Sequence, residues 1–291
     1  MRPAGRTGNK PVPPAAPEKH EIRQGQSVEL LKELHILTRD GKLNQDSRRK
    51  LKQVYHLFGF IEPLLDAVRA GGGPVTLVDH GAGKSYLGFI LYDLWFKAHD
   101  DGSTIHGIES RAELVDRSSA LAERLGFARM AFHAQTVAES LDSTAIPPTV
   151  DLVTALHACN TATDDAIRFA LARKARFVVL VPCCQAEVAA VLRENKQRML
   201  KKPLAELWRH PIHTREFGSH LTNVLRCLEL EAHGYQVTVT ELVGWEHSMK
   251  NELIVAEYKD RPRRAAADRL RTMLDELGLE TLAGRFGAGY A

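Results

Sequence analysis

The sequence predicts an α/β fold: a seven-stranded, mostly parallel sheet with an antiparallel edge strand, covered by helices and preceded by a helical lead-in. Three observations point there. From residue 75 onward, short apolar runs alternate with helical stretches, the texture of parallel strands buried on both faces. A glycine-bearing turn follows the first run and opens a helix. The last two runs have no helix between them and read as a hairpin.

Residues 1–24 hold Pro3, Pro11, Pro13, Pro14 and Pro17 with few large apolar groups, so a disordered arm is expected there. Residues 25–70 form the lead-in. One apolar stripe runs Leu30, Leu31, Leu34, Leu37, and a second runs Leu51, Val54, Leu57, Phe58, Ile61, with Asp40-Gly41 as the turn between them. Pro63 is expected to kink the second helix or to end its first half. Residues 71–260 carry the sheet. Its strands are expected at 75–79, 104–109, 130–134, 151–157, 177–182, 235–243 and 253–258. Residues 261–291 close the chain with an amphipathic basic helix packed on the core.

Of the 291 residues, 44% are hydrophobic and 26% charged, enough to bury a core and too mixed for a collagen-like, coiled-coil or wholly disordered chain. No apolar run approaches the roughly 18 residues of a spanning helix, so no membrane partner is expected. Residues 1–19 lack the apolar stretch of a secretory signal. The four cysteines, two of them adjacent, suit reduced thiols in the cytoplasm better than a disulfide framework. The net charge of +3 is modest, but its distribution is uneven. Residues 193–215 hold seven basic side chains against Glu194 and Glu206, and residues 39–52 hold six against Asp40 and Asp46. Such clusters are solvated helix faces or polyanion surfaces.

The chemistry gathers at strand ends. The first strand runs into Val78-Asp79-His80-Gly81-Ala82-Gly83-Lys84-Ser85, where three ligands compete. A triphosphate loop ending in Gly-Lys-Ser needs a glycine at position 78, which is valine inside the strand. A dinucleotide fingerprint needs a glycine where Tyr86 stands. The loop of an S-adenosylmethionine site needs an acid at the strand end and then x-Gly-x-Gly, which Asp79, Gly81 and Gly83 supply. A carboxylate there suits a ligand bearing ammonium and sulfonium groups. Glu109, ending the second strand, is placed to accept ribose hydroxyls, and Gln135 after the third strand to meet a purine edge. Each has a plainer reading, as a helix-capping acid or a surface amide. The fourth strand ends in His157, Cys159 and Asn160, with Asp164 opening the next helix, and the fifth ends in Cys183-Cys184-Gln185. Ligands of open α/β sheets bind at the carboxyl ends of the strands, so these side chains are expected to converge.

Together, Asp79-His-Gly-Ala-Gly-Lys84, Leu156-His-Ala-Cys159, Thr163-Asp164 and Pro182-Cys-Cys184 resemble one branch of the class I methyltransferases. That branch includes the eukaryotic tRNA 2′-O-methyltransferases and methyltransferase-like proteins with the signature Leu-His-x-Cys-Gly…Ala-Thr-Asp…Cys-Cys. The resemblance covers roughly residues 75–258. It departs at Asn160, where the branch has glycine, at Gln185, and in lacking the zinc-finger segment of the tRNA enzymes; Lys250-Asn251 resembles its Arg-Asn stretch. It implies a Rossmann-like class I methyltransferase fold with S-adenosylmethionine held by Asp79, His80, Gly81, Ala82, Gly83, Glu109, Ser110, Gln135, Thr136 and His157.

His157 is the first candidate for taking a proton from an acceptor hydroxyl, and Asp164 the second or the orienter of the first. Cys159, Cys183, Cys184, Lys201, Lys202, Arg209 and Arg215 are the candidate substrate contacts. The basic stretch they partly share, with Trp208, His210 and His213, favours RNA as the acceptor over a protein or small molecule, or over a non-catalytic module that binds RNA. His157 and the cysteines are zinc-ligand types without zinc-ligand spacing, so no metal is expected.

Overall fold

Ser27 and Asn44 start the two lead-in helices by accepting the backbone N–H groups of Leu30 and Ser47 on their side-chain oxygens at 3.1 and 2.8 Å. The computed structural model describes residues 22–156, 158, 160–182, 185–195, 206–207, 209–242 and 252–287. Most of the expected arm, and His157, Cys159, Cys183, Cys184, Lys201, Lys202, Trp208 and the Lys250-Asn251 pair, lie outside the described residues. Helix α1 spans Val28–Glu33 and α2 spans Gln45–Ala70. The latter runs unbroken through Pro63, so the proline does not end the helix's first half. Pro63 is exposed, so its ring faces water and the carbonyl it leaves unbonded can be solvated. The α2 stripe of Leu57, Phe58, Ile61, Leu65 and Val68 is buried against the sheet. Asp66 fastens it there by accepting the Trp95 indole N–H at 2.8 Å.

The sheet and its helices follow in the order β1 (Thr76–His80), α3 (Tyr86–Leu94), β2 (Thr104–Glu109), α4 (Ala112–Arg124), β3 (Met130–Ala134), β4 (Leu152–Ala155), α5 (Thr161–Arg173), β5 (Phe177–Leu180), α6 (Glu187–Glu194), α7 (Pro211–Ala232), β6 (Tyr235–Glu241), β7 (Glu252–Tyr258) and α8 (Arg264–Glu276). Short 3₁₀ turns lie at Phe96–Ala98, Glu139–Asp142 and Glu280–Leu282. The strand order is β3-β2-β1-β4-β5-β7-β6. The strands from β3 to β5 pair in parallel. Strand β7 is antiparallel to both β5 and β6, so the antiparallel pairing falls at one edge as expected, with β6 outermost. The strand order switches at β1, with β2 and β3 laid to one side of it and β4 and β5 to the other, which opens a crevice above β1 and β4.

Two apolar layers sandwich the sheet. Leu77, Phe89, Ile105 and Val179 face α2, α3 and α4, while Val78, Ile108, Val153 and Phe169 form the layer on the α5 side. A third cluster joins α6, α7 and α8 through Leu192, Leu225 and Leu274, which seats the C-terminal helix on the core. Among the described residues no helix is long and apolar enough to cross a membrane.

Candidate active site

Successive residues of a strand point to opposite faces, and β1 shows what that does at its end. Asp79 faces the lead-in side and His80 the α5 side. The Asp79 carboxyl is 3% exposed and, among the described residues, accepts one short hydrogen bond, from Thr154 Oγ1 at 2.6 Å. Thr154 is its register partner on β4. Burial raises the carboxyl to about 7, with the Thr154 bond pulling the other way. Such a group is short of a positive partner. It lines a cavity of about 260 Å³. The glycine loop forms one wall with Gly81 and Ala82, and α2 the opposite wall with Lys50, Gln53 and Leu57. That second wall is not legible in the sequence, where the lead-in shows an apolar stripe but not what the stripe covers.

The loop needs its glycines. Gly81 has φ +64°, and a Cβ there would stand 3.0 Å from the Ala158 Cα. Gly83 has φ +59° and donates its N–H to Glu109 Oε2 at 2.9 Å. Ser85 adopts the left-handed conformation that releases the chain into α3. Its hydroxyl is buried without a partner beneath Gly88. Lys84 is exposed and Val78 is sealed inside the strand, so a triphosphate cradle is not formed.

Glu109 ends β2 beside this loop. Burial pushes its carboxyl up, but the Arg111 side chain and backbone, the Gly83 N–H and the Arg111 charge outweigh it and hold it below the usual carboxylate range. The Arg111 side chain reaches across both oxygens, at 2.9 Å to Oε1 and 3.2 Å to Oε2. Arg111 is mostly exposed, so it can swing away to let a diol reach the carboxylate. Beyond β3, the Gln135 backbone N–H bonds the Glu109 carbonyl at 3.2 Å, while its side-chain Nε2 is buried with no partner among the described residues. A buried amide nitrogen is normally hydrogen-bonded, so this one is open to an additional acceptor.

A buried carboxyl, a strand-end acid and an amide nitrogen with no partner among the described residues stand at the carboxyl ends of β1, β2 and β3. Residues 49–191 match a family model described as a methyltransferase domain. The chain carries a methyltransferase domain. With this sheet order, S-adenosylmethionine is its methyl donor. The domain so matched begins inside α2 and ends in α6, so the lead-in helix that walls the cavity belongs to it. No curated protein matches the chain. Similar solved structures include a magnesium protoporphyrin IX methyltransferase from Synechocystis PCC 6803 with bound S-adenosylmethionine, 12% identical, covering 79% of this chain and 90% of that one, TM-score 0.43. Another is an rRNA methylase from Streptococcus thermophilus, 11% identical, covering 64% and 87%, TM-score 0.39. A Podospora anserina methyltransferase is 11% identical over 80% and 87%, TM-score 0.43. Values this low say nothing of the acceptor.

Several expected contacts of this methyltransferase domain lie elsewhere. The His80 ring is fully buried on the α5 side, edge-on to Phe169 at 4.6 Å, with Nε2 3.1 Å from Ser140 Oγ. Burial lowers it to about 3, which keeps it neutral, and it does not line the cavity. Its side chain is a core residue rather than a cofactor contact. Thr136 forms a reciprocal cap with Glu139, donating from N and Oγ1 at 2.7 and 2.8 Å. Ser110 is exposed beside Glu109. Asp164 is 3% exposed and tied to the buried Arg226, whose Nε donates to Oδ1 at 2.5 Å. A carboxylate so enclosed and engaged cannot reach an acceptor as a base, which corrects its catalytic assignment. Arg226 itself is absent from the sequence-based candidates, although a charge within the apolar stripe of Leu221, Leu225 and Leu228 is the available signal. Arg209 and Arg215 are exposed and pair with Glu206 and Glu216 at 3.1 and 2.9 Å.

Proposed function

We propose that this chain holds S-adenosylmethionine along the carboxyl edge of the sheet and moves its methyl group to an RNA acceptor, a ribose 2′-hydroxyl in tRNA or rRNA. The observation that carries the cofactor assignment is the Asp79 carboxyl, buried, with one hydroxyl donor and no bonded cation among the described residues, on the wall of a cavity beside the glycine loop. Asp79 receives the ammonium group. The Gly81–Gly83 turn gives close backbone approach, Glu109 takes the ribose hydroxyls once Arg111 moves aside, and Gln135 meets the adenine edge.

The sulfonium supplies an activated methyl group, so the protein's work is placement and proton management. His157, following β4 in the sequence, is the group we assign to take the acceptor's proton. Cys159, Cys183 and Cys184 follow the same two strands and are assigned to the acceptor's surroundings. The RNA assignment rests on residues 193–215, with seven basic side chains and Trp208, following the fifth strand and its helix in the sequence. We place the reaction in the cytoplasm, on the reading of the four cysteines as reduced thiols.

A protein or small-molecule acceptor is the second reading, and the pairing of Arg209 and Arg215 with neighbouring acids favours it, because paired charges attract phosphate less. Labelled S-adenosylmethionine, the purified chain, and total RNA or total protein from a strain lacking the gene separate the two. Label entering RNA, and one modified nucleoside missing from the deletion strain by mass spectrometry, is the expected result. Label entering protein alone would overturn the RNA assignment and leave the cofactor assignment standing.

A further inference from the structure

Asn160 stands just after β4 with φ +55° and ψ −124°, a conformation open to glycine and strained for any side chain. Strain of this kind persists only where the surroundings impose it. Two bonds do so. Arg226 Nη2 donates to the Asn160 carbonyl at 2.9 Å, and Asn160 Oδ1 accepts the Ala186 N–H at 3.0 Å. Arg226 is wholly buried and spends its Nε on Asp164 Oδ1 at 2.5 Å, in the first turn of α5. The fork thus grips the turn from both sides of the helix start.

The same cluster extends toward the segment after β5. The Gln185 amide lies 2.7 Å from both the Asn223 amide oxygen and the Ser219 hydroxyl on α7. Asn223 Nδ2 donates to Glu252 Oε2 at 2.8 Å at the start of β7. A buried ion pair adds little net stability over an apolar pair of the same shape, so its geometric demand is the better account of its presence. The guanidinium, with five donors in a fixed plane, can meet two acceptors at set angles where an ammonium cannot.

We propose that Arg226 is a positioning residue of the methyl-transfer site: it holds Asn160 in its glycine-like conformation and so fixes where α5 begins. This rests on the reading of that sheet edge as the place of transfer. Arg226 does not touch cofactor or acceptor; its effect on the rate runs through the turn.

The test is a double-variant cycle on the full chain. Arg226→Lys keeps a charge opposite Asp164 and loses the fork. Asn160→Gly removes the strain the fork must oppose, together with the side-chain bond to the Ala186 N–H. The Arg226→Lys variant is expected to slow methyl transfer to extracted RNA by about tenfold while calorimetry finds its affinity for S-adenosylhomocysteine nearly unchanged. Adding Asn160→Gly is expected to restore most of that rate, and to raise the melting temperature more in the Arg226→Lys background than in the parent. Additive melting shifts, or a parental rate in Arg226→Lys, would overturn the proposal. So would a rate loss matched by an equal loss of cofactor affinity, which marks general damage. A parent that transfers nothing to RNA refutes the acceptor, and the melting cycle then decides on Arg226 alone.

Discussion

Asp79 contributes through what surrounds it rather than through its identity alone. A carboxyl sealed from water with one described hydroxyl donor holds its proton to higher pH than a free carboxylate, and a cation beside it would release that proton. Its value in the folded chain, about 7, lies above the ordinary 3.8, so the folded state holds a proton that the unfolded state releases across that interval. The stability this contributes is therefore complete below about pH 4 and lost as pH rises through about 7. Glu229, raised by burial to about 8, acts in the same direction, and Asp79→Asn separates the two. Binding an ammonium group reverses the preference. Cofactor affinity is expected to climb with pH up to about 7 with release of a proton, seen as buffer-dependent heat, and Asp79→Asn is expected to flatten the profile. The same substitution should weaken binding by roughly 10- to 100-fold, the worth of a hydrogen bond to a charged group. An affinity indifferent to pH in the parent would contradict the assignment.

The two loop glycines make a second comparison. Gly83→Ala meets only the left-handed penalty, about 1–2 kcal/mol. Gly81→Ala meets that and the Ala158 backbone, and is expected to cost about 3 kcal/mol or more, read as the larger fall in denaturant midpoint. Equal losses would mean that the loop yields freely. At this scale the sequence discloses Asp79, Gly81 and Glu109, because strand ends and glycines are local signals. It hides Thr154 and Arg226, whose partners lie 75 and 62 residues away and are set by sheet register and helix packing. Asp164 misleads for the same reason: a helix-opening acid looks alike whether it faces an acceptor or a buried arginine.

Among the elements, α2 is the one whose role is least visible in the sequence. Its apolar spacing announces a buried face, just as the apolar runs foretell the observed strands to within a few residues. What spacing does not encode is the neighbour. Helix α2 lies over the glycine loop, so Lys50, Gln53 and Leu57 meet the same cavity as Asp79. Hydrogen exchange is expected to slow on adding S-adenosylhomocysteine both in residues 79–90 and in the first half of α2, by a factor that grows with ligand concentration. Protection confined to residues 79–90 would mean that α2 is a bystander.

For the whole molecule, the order β3-β2-β1-β4-β5-β7-β6 places the cofactor groups of β1, β2 and β3 on one half of the carboxyl edge and the ends of β4 and β5 on the other. The alternation of runs foretells the layers and the hairpin. The crossover pattern that makes the crevice can be read only by way of the resemblance, since short apolar runs do not name their partners. A net charge of +3 gives weak overall attraction to a polyanion, so the proposed RNA acceptor would have to be held by local clusters. If residues 193–215 bind phosphates, log affinity for RNA is expected to fall linearly with log salt, by about 0.7 in slope for each phosphate neutralised on a single strand. Neutralising Arg193 and Arg198 together is expected to flatten that slope; a slope unchanged by the pair would exclude them from the interface.

The most direct measurement is titration calorimetry of the folded chain with S-adenosylmethionine, S-adenosylhomocysteine and ATP, run side by side at pH 6 and pH 8. The account predicts one site for each of the two adenosyl ligands, stronger at the higher pH, and no heat from ATP. Binding of ATP in their place, or silence from both adenosyl ligands, would contradict it.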